Sequence, residues 1–280
     1  MKTQHLINSK VSPPQKLERA SGNADIRFKI LDGQTRLDYL YQSGCCKIRF
    51  PKVHNTPPEA VFLNTAGGLT GGDEIHFSAN FKPDTEAVIS TQACERIYKS
   101  SQGNTVITNT LRLGPGSRAC WLPQETILFD GGRLDRTLDV EISGDATFLG
   151  VESVIFGRTE MREEVHSGFL YDRWRIRRDG KPLFADNTFI EGAINSKLSN
   201  PALLDGGRCI STVILIADTI DELLVPSRDF LSPYAAGISV VNGVLVGRIV
   251  ATTGLNLREV LLPLLNIVRG GVPLPRVWCI

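Results

Sequence analysis

Short runs of alternating apolar and polar residues dominate the central part of the chain. Residues 75–81, 105–113 and 138–142 alternate apolar with polar side chains, which is the pattern of strands with one buried face. Further short runs rich in Val, Ile and Leu are separated by glycine-containing pairs that favour turns. Asn242-Gly243, between two apolar runs, predicts a two-residue hairpin. The pattern therefore predicts an all-β dominated fold, either a β-sandwich or a β-solenoid-like domain.

Helical patterns appear only toward the C-terminus. Residues 219–225 predict a short helix with Asp218 as its N-cap, and residues 256–268 carry an apolar helical pattern with Asn256 at its start. Pro263 falls inside the second pattern and is expected to kink or split that helix. A few helices near the C-terminus should thus accompany the strands.

The net charge and the polar N-terminal stretch limit the partners and the cellular location that we expect. The chain has 31 basic and 30 acidic residues and a net charge of +1, which gives no broad field for nucleic acid or an anionic membrane. Residues 1–24 are polar, contain two prolines and lack the apolar segment of a signal peptide, so we expect a disordered leader and a cytoplasmic protein. No linker or composition break divides residues 25–280, which predicts a single domain there.

Arg173, Arg175 and Arg177 alternate, which predicts a solvated strand face, with a docking surface for an acidic partner as the alternative.

A glycine-rich run, NTAGGLTGGD at residues 64–73, is the least common feature of the chain. Glycine reaches positive φ at little steric cost, so the run indicates tight turns or a close approach to the main chain. The run lacks the Lys and Ser/Thr of a P-loop and the spacing of a dinucleotide fingerprint, so nucleotide binding is not favoured. It ends on the carboxylate of Asp73.

Carboxylates are the main candidates for chemistry. The four histidines are isolated and no nucleophile motif is present, so a preformed metal cage or a covalent mechanism is not predicted. Each carboxylate near a predicted strand is either a turn cap or salt-bridge partner, or a weak oxygen ligand for a divalent ion in transit. Asp73 and Glu163 are the first choices for the second role. The further candidates are Glu95, Glu125, Asp130 and Glu152.

Several uncommon motifs follow the glycine run in a fixed order. They are TQACERIYKS at 91–100, WLPQETILFDGG at 121–132, FGRTEMREE at 156–164 and PRVW at 275–278. Together with the run and the stretch at 36–50, this order resembles the UreD/UreH family of urease accessory proteins, from about Arg27 to the C-terminus. The resemblance places the motif residues of that family on Asn64, Gly67, Gly68, Gly71, Gly72, Asp73, Gln92, Arg96, Tyr98, Gln124 and Glu125. Many relatives carry Lys where Glu95 stands, so a local pair with Arg96 or Lys99 is an alternative role for Glu95.

The resemblance also implies a mostly β fold and a function without enzymatic activity. Members of the family act in assembly of the urease nickel centre: they dock on the structural subunits of apo-urease, recruit UreF and through it UreG, and are thought to give Ni²⁺ a passage. Such a passage needs weak oxygen or imidazole sites, because a tight site would retain the ion. Transient Ni²⁺ is therefore expected, with no tightly bound cofactor.

Two other functions remain open on the sequence. A pure scaffold would bridge urease and UreF without any transit of metal. A carboxylate-dependent hydrolase would use Glu125 with Asp130, or Glu163 with Glu164, as acid and base.

Overall fold

Two large β-sheets make up most of the molecule, for which the computed structural model describes residues 18–52, 57–158 and 163–279. Strands of the two sheets alternate along much of the chain. In chain order the strands are β1 (Ser21–Leu31), β2 (Gln34–Gly44), β3 (Cys46–Arg49), β4 (Glu59–Asn64), β5 (Glu74–Phe81), β6 (Glu86–Thr91), β7 (Glu95–Ile97), β8 (Thr105–Leu113), β9 (Arg118–Leu122), β10 (Thr126–Leu128), β11 (Arg133–Ile142), β12 (Thr147–Phe156), β13 (Ser167–Arg178), β14 (Lys181–Ala193), β15 (Cys209–Ile216), β16 (Ala236–Val241) and β17 (Val244–Ala251).

The order of the strands shows how the chain winds. The first sheet has the order β14-β13-β11-β8-β5-β1-β2, and its inner strands β1, β5, β8, β11 and β13 run parallel to one another. The second sheet has the order β16-β17-β15-β12-β9-β6-β4-β3, with β7 and β10 paired beside β12. The chain crosses repeatedly from β5 to β6, from β8 to β9 and from β11 to β12. This solenoid-like winding confirms the predicted fold class.

The inner faces of the two sheets form the main core. In β8 every second side chain is buried, as the alternation at 105–113 predicts. The largest side chains of this core include Phe28, Phe62, Phe81 and Trp174, all at most 2 % exposed. The core thus follows from the period of two in the sequence, because alternate side chains of a strand point to opposite faces.

In the described part of the chain, three α-helices follow the parallel strands: α1 (Ile194–Leu198), α2 (Ile220–Leu231) and α3 (Gly254–Val268). The apolar faces of α2 and α3 form a second core cluster with the outer side of the second sheet. The predicted helical segments are present, and Asn242 and Gly243 form the predicted turn between β16 and β17, both at positive φ. Among the described residues, no helix is both long and apolar enough to cross a membrane.

The predicted helix boundaries need correction. The N-cap of α2 is Thr219 and not Asp218, and its side chain makes no capping hydrogen bond. Helix α3 begins at Gly254, because the Thr253 hydroxyl accepts from the backbone N–H of Asn256 and caps the first turn. The helix continues through Pro263, so the expected split does not occur. Its buried apolar face against the sheet offsets the lost backbone hydrogen bond.

The predicted boundary of the N-terminal leader is also corrected. Strand β1 begins at Ser21, inside the predicted leader 1–24, and its first residues pair with β5. Ala24 is fully buried in the main core. Residues 1–17 of the predicted leader lie outside the described part of the chain.

Candidate functional site

Three of the sequence motifs meet at one end of the two sheets. The glycine run links β4 to β5, TQACERIYKS contains the end of β6 and all of β7, and LPQET leads into β10. Leu69 donates its backbone N–H to the carbonyl of Arg96 at 2.7 Å, and Tyr98 donates in return to Leu69 at 2.7 Å. Glu95 donates its backbone N–H to the carbonyl of Glu125 at 3.0 Å. Motifs far apart in sequence are thus joined through the main chain.

The glycine run needs glycine for two physical reasons. Gly67, Gly68 and Gly72 have φ values of 76°, 141° and 89°, which other residues rarely adopt. A Cβ added at Gly68 would lie 2.3 Å from the ring of Tyr98, and one added at Gly71 would lie 1.9 Å from a neighbouring hydroxyl. The predicted tight turns and close approach are confirmed.

Asp73 closes the turn of the glycine run. Its Oδ1 accepts from the backbone N–H of Ala20 at 2.8 Å, and its Oδ2 accepts from that of Thr70 at 2.7 Å. The residue is 4 % exposed. Asp73 therefore holds the run against the start of β1. This is a turn-closing role, which is one of the two roles that the sequence allows for each carboxylate.

Glu163 lies in a different environment. Its Oε2 accepts from Nε of Arg158 at 2.7 Å, and its backbone carbonyl accepts from Arg208 at 3.2 Å. No contact among the described residues joins it to Asp73. Within the same residues, no group of three or more His, Cys, Asp and Glu side chains is arranged to hold a metal ion.

An outer cavity of about 220 Å³ lies where the motifs meet. Its lining includes Asn64, Gly68, Gln92, Glu95 and Arg96. The Nδ2 of Asn64 donates to the two oxygens of Glu95 at 3.2 and 3.1 Å, and the backbone N–H of Arg96 donates at 3.1 Å. The ion pair with the side chain of Arg96 or Lys99, the alternative role of Glu95, is not present among the described residues, because the carboxylate turns toward Asn64. Burial raises the pKa of Glu95, and these hydrogen bonds oppose the rise only in part.

A second, inner cavity of about 40 Å³ is lined by residues of both sheets. It shares Phe77, Thr91 and Glu95 with the outer cavity. Its lining also contains the polar side chains of Asn109 and Glu152. The Oδ1 of Asn109 is buried without a hydrogen-bond partner among the described residues. The two cavities thus share part of their lining, and both present side-chain oxygen atoms.

A buried charge network borders the inner cavity. Arg136 donates to the two oxygens of Asp172 at 2.9 and 2.6 Å, and donates to the hydroxyl of Thr126 at 3.0 Å. Its Nη1 also lies 2.5 Å from Oε2 of Glu152, an ion pair without hydrogen-bond geometry. Trp121 donates from Nε1 to the other oxygen of Glu152 at 2.8 Å. The guanidinium of Arg136 is therefore the counter-ion of two buried carboxylates.

The excess of one buried carboxylate over the guanidinium affects the pKa of Glu152. Burial raises its pKa to about 7, Arg136 opposes the rise, and the charge of Asp172 adds to it. Sequence reasoning singled out Glu152 but missed Arg136 and Asp172. A signal was present, because both residues occupy positions of the buried face in otherwise alternating strands, where a charge is unusual.

Glu125 is held by the last helix. Arg258 of α3 donates from Nε to Oε1 at 2.7 Å and from Nη2 to Oε2 at 2.9 Å, and it also contacts the side-chain oxygen of Gln124. The thiol of Cys94 donates to Oε2 at 3.4 Å. Burial acts to raise the pKa of Glu125, but the bonds from Arg258 outweigh it and leave the pKa below its ordinary value. Glu125 is thus a salt-bridge partner, which is one of the two roles that the sequence allows for each carboxylate.

The carboxylate pairs of the hydrolase alternative have other contacts. A general acid needs a raised pKa, whereas that of Glu125 is lowered. Asp130 accepts from the backbone N–H of Ser167 at 2.9 Å. Glu164, the proposed partner of Glu163, accepts from Asn195 at 3.1 Å. These contacts favour structural roles for Glu125, Asp130 and Glu164.

The alternating arginines of β13 lie on the outer face of the first sheet. Arg173 forms an ion pair with Asp135 of β11. The register sets Arg175 and Arg177 beside further carboxylates of that strand, Asp139 and Glu141. This compensated arrangement fits the predicted solvated strand face.

Comparison with known proteins gives a consistent result over nearly the whole chain. A family model described as UreD urease accessory protein matches residues 20–279. The chain is 43 % identical over 268 residues to a protein of Chelativorans sp. (strain BNC1), covering 95 % of this chain and 96 % of that protein. It is 39 % identical over 265 residues to a protein of Agrobacterium fabrum, covering 95 % and 93 % of the two chains. A protein of Rhizobium johnstonii is 41 % identical over 261 residues, covering 93 % and 96 %. All three relatives are named urease accessory protein UreD.

Proposed function

The chain belongs to the UreD family of urease accessory proteins, and from this membership we propose that it serves the assembly of the urease nickel centre. In this proposal it docks on apo-urease, recruits UreF and through it UreG, and gives Ni²⁺ a transient passage toward the urease active site. The chain itself catalyses no reaction, and it works in the cytoplasm.

The observation that carries the proposed passage is the shared lining of the two cavities. Glu95 belongs to both, and Glu152 and Asn109 follow in the inner cavity. Carboxylate and amide oxygens bind a divalent ion through separate, exchangeable contacts. Because softer and more numerous ligands would retain Ni²⁺, this sparse set of oxygens suits an ion in transit.

In this proposal Asp73 and Glu163 also contact the ion during its transit, although neither lines the outer cavity. Asp73 shapes the glycine run that borders the outer cavity, and among the described residues each of its oxygens accepts one hydrogen bond. A carboxylate oxygen can accept more than one contact, so both residues keep the capacity to bind a passing cation. Their roles as transient ligands are part of the proposal.

The test measures urease activity and bound nickel in cells that co-express the urease subunits and the other accessory proteins. The chain is supplied as wild type, omitted, or altered to Asp73→Asn, Glu95→Gln or Glu152→Gln. We expect inactive, nickel-poor urease without the chain, and the same defect in the variants although the complex still assembles. The control is Glu191→Gln, which removes an exposed carboxylate far from both cavities in sequence and should leave nickel loading unchanged.

Two outcomes would contradict parts of this proposal. Full activity and nickel content without the chain would remove the accessory role. Full activity in all three carboxylate variants, with intact assembly, would instead support the pure scaffold.

A further inference from the structure

Two adjacent cysteines lie at the corner where the chain passes from the first sheet to the second. Cys45 forms the turn between β2 and β3, and Cys46 is the first residue of β3. Gly44, just before them, has a φ of 57°, and a Cβ at this position would lie 1.8 Å from the carbonyl oxygen of Ser21. Glycine is therefore required at this corner, and the corner fixes the direction in which the two thiols point.

The two sulfur atoms converge on one point beside Gly22. A Cβ added to Gly22 would lie 2.4 Å from Sγ of Cys46 and 2.9 Å from Sγ of Cys45. Successive side chains of a regular strand point to opposite faces, so this convergence results from the corner and not from a strand. Because Gly22 has no side chain to separate the sulfurs, one bound ion can contact both of them.

A direct disulfide between the two cysteines is not favoured. Consecutive Cα atoms lie about 3.8 Å apart across a trans peptide, whereas the Cα atoms of a disulfide are usually about 4.4–6.8 Å apart. The peptide between the cysteines is also held in place, because the carbonyl of Cys45 accepts from the backbone N–H and from Oγ1 of Thr65 at 2.8 and 3.0 Å. A bridging ion avoids this strain, since it joins the sulfurs without a bond between them.

The surroundings of the thiols also protect them from oxidation. Cys46 is fully buried and Cys45 is half-buried. Burial raises the pKa of Cys46 to about 12, and it also raises the pKa of Cys45. Oxidation and alkylation proceed through the thiolate, so both reactions are slow at this pair. A soft metal ion binds thiolates strongly enough to displace the protons, and the half-buried Cys45 gives it access.

The number and type of ligands select the ion. Thiolates favour soft ions such as Cu(I), whereas Zn²⁺ in structural sites takes a closed set of four ligands. Two sulfurs suit Cu(I), a closed-shell ion that binds two thiolates in a line. Cys45 and Cys46 are not among the residues that line the outer and inner cavities, so the pair lies apart from the oxygen atoms proposed for Ni²⁺.

From this geometry we infer that Cys45 and Cys46 form a two-thiolate site for one Cu(I) ion, separate from the proposed nickel passage. Binding releases one proton from each thiol and forms two copper–sulfur bonds, and no electron is transferred. The inference does not rest on the proposed function, because Cu(I) binding is a property of the chain by itself.

The test titrates the purified full chain with Cu(I), supplied as its acetonitrile complex in the absence of oxygen, against a chromogenic Cu(I) chelator. We expect tight binding of a single Cu(I), with two sulfur neighbours in X-ray absorption at the copper edge. Cys45→Ala and Cys46→Ala should each weaken this binding by about 100-fold or more, because one of the two ligands is lost.

Two further variants control for the number of thiols. Cys279→Ala removes an exposed cysteine near the C-terminus and should leave the affinity for Cu(I) unchanged. Gly22→Ala keeps both thiols of the pair but adds a Cβ at the point where the sulfurs converge, so it should also weaken binding. Thermal unfolding verifies that each variant is folded, and if Gly22→Ala is not, Cys45→Ala at the half-buried position carries the test.

Two results would overturn the inference. One is an unchanged affinity for Cu(I) in folded Cys45→Ala and Cys46→Ala variants, which would assign the binding to other thiols. The other is a disulfide between Cys45 and Cys46, found by mass spectrometry in the chain purified under air.

Discussion

Replacement of Arg136 by Met tests the account of the buried charge network. Arg136 is 3 % exposed and is the cation shared by Asp172 and Glu152. Methionine keeps much of the length and packing of the arginine stem but removes its charge and its donors. The variant therefore leaves two carboxylates in the interior without their counter-ion.

The expected cost follows from this loss. Removal of one partner from a buried ion pair costs about 3–5 kcal/mol, because the remaining charge is left uncompensated. The total free energy of unfolding of a domain is about 5–15 kcal/mol, so the loss would be a large fraction of it.

The loss should depend on pH. Burial already raises the pKa of Glu152 from 4.5 to about 7, and removal of Arg136 takes away the charge that opposes this rise. Between these values the folded state binds more protons than the unfolded state, so stability falls as pH rises through this window. The destabilisation by Arg136→Met should thus be largest above pH 7 and smaller near pH 5, where Glu152 can take up a proton.

Urea unfolding at about pH 8 and about pH 5.5 measures both effects. The control is Arg133→Met on the same strand, where the ion pair with Glu191 is 3.4 Å long and both side chains are more than a third exposed. That change should cost less than about 1 kcal/mol. A cost below about 1 kcal/mol for Arg136→Met at both pH values, or an equal cost at both, would refute the reasoning. If the variant does not accumulate, Arg136→Met/Glu152→Leu should recover part of the yield, since it removes one of the stranded charges.

Three further changes test other parts of the structure. Gly68→Ala should destabilise the protein by about 1–3 kcal/mol in thermal unfolding, because Gly68 has a positive φ and lies against the ring of Tyr98. The control Gly237→Ala, where the added Cβ meets no neighbouring atom, should have little effect. Equal effects of the two changes would contradict the close approach at Gly68. Arg258→Ala should lower the free energy of unfolding by about 2–3 kcal/mol in urea unfolding, because Glu125, which is 1 % exposed, loses its counter-ion. The cost is below that of a fully buried pair because Arg258 is partly solvated. A cost under about 0.5 kcal/mol would count against a stabilising role of this pair. Glu152→Gln should flatten the fall in stability between about pH 5 and pH 7, and an unchanged pH profile would assign that fall to other groups.

Local features of the sequence were sufficient for the strands and for the turns. Alternation at 105–113 predicts the buried face of β8, because the two-residue period of a strand is a local property of the backbone. The glycines at 67, 68 and 72 predict positive φ for the same kind of reason. Helix starts were less well predicted, since the capping group of α3 depends on the hydroxyl of Thr253 and not on the nearest favourable residue, Asn256.

The contacts of the carboxylates could not be predicted in this way. Glu125 meets Arg258 from 133 positions away, and Arg136 meets Asp172 from 36 positions away. No periodic pattern or motif in the sequence indicates either of these two separations. These pairs form because parallel winding sets β11 beside β13 and because α3 packs beside the LPQET motif.

The sequence alone determined the strand-rich fold, the tight glycine run, the list of candidate carboxylates and the resemblance to one family of accessory proteins. Only the tertiary structure decided which of those carboxylates face a cavity and which close a turn. Asp73 turned out to hold two backbone amides, whereas Glu95 and Glu152 line cavities that share part of their lining. The reason is physical: residue type and spacing set the local backbone, but the surroundings of a charge depend on strands that meet only when the whole chain has wound.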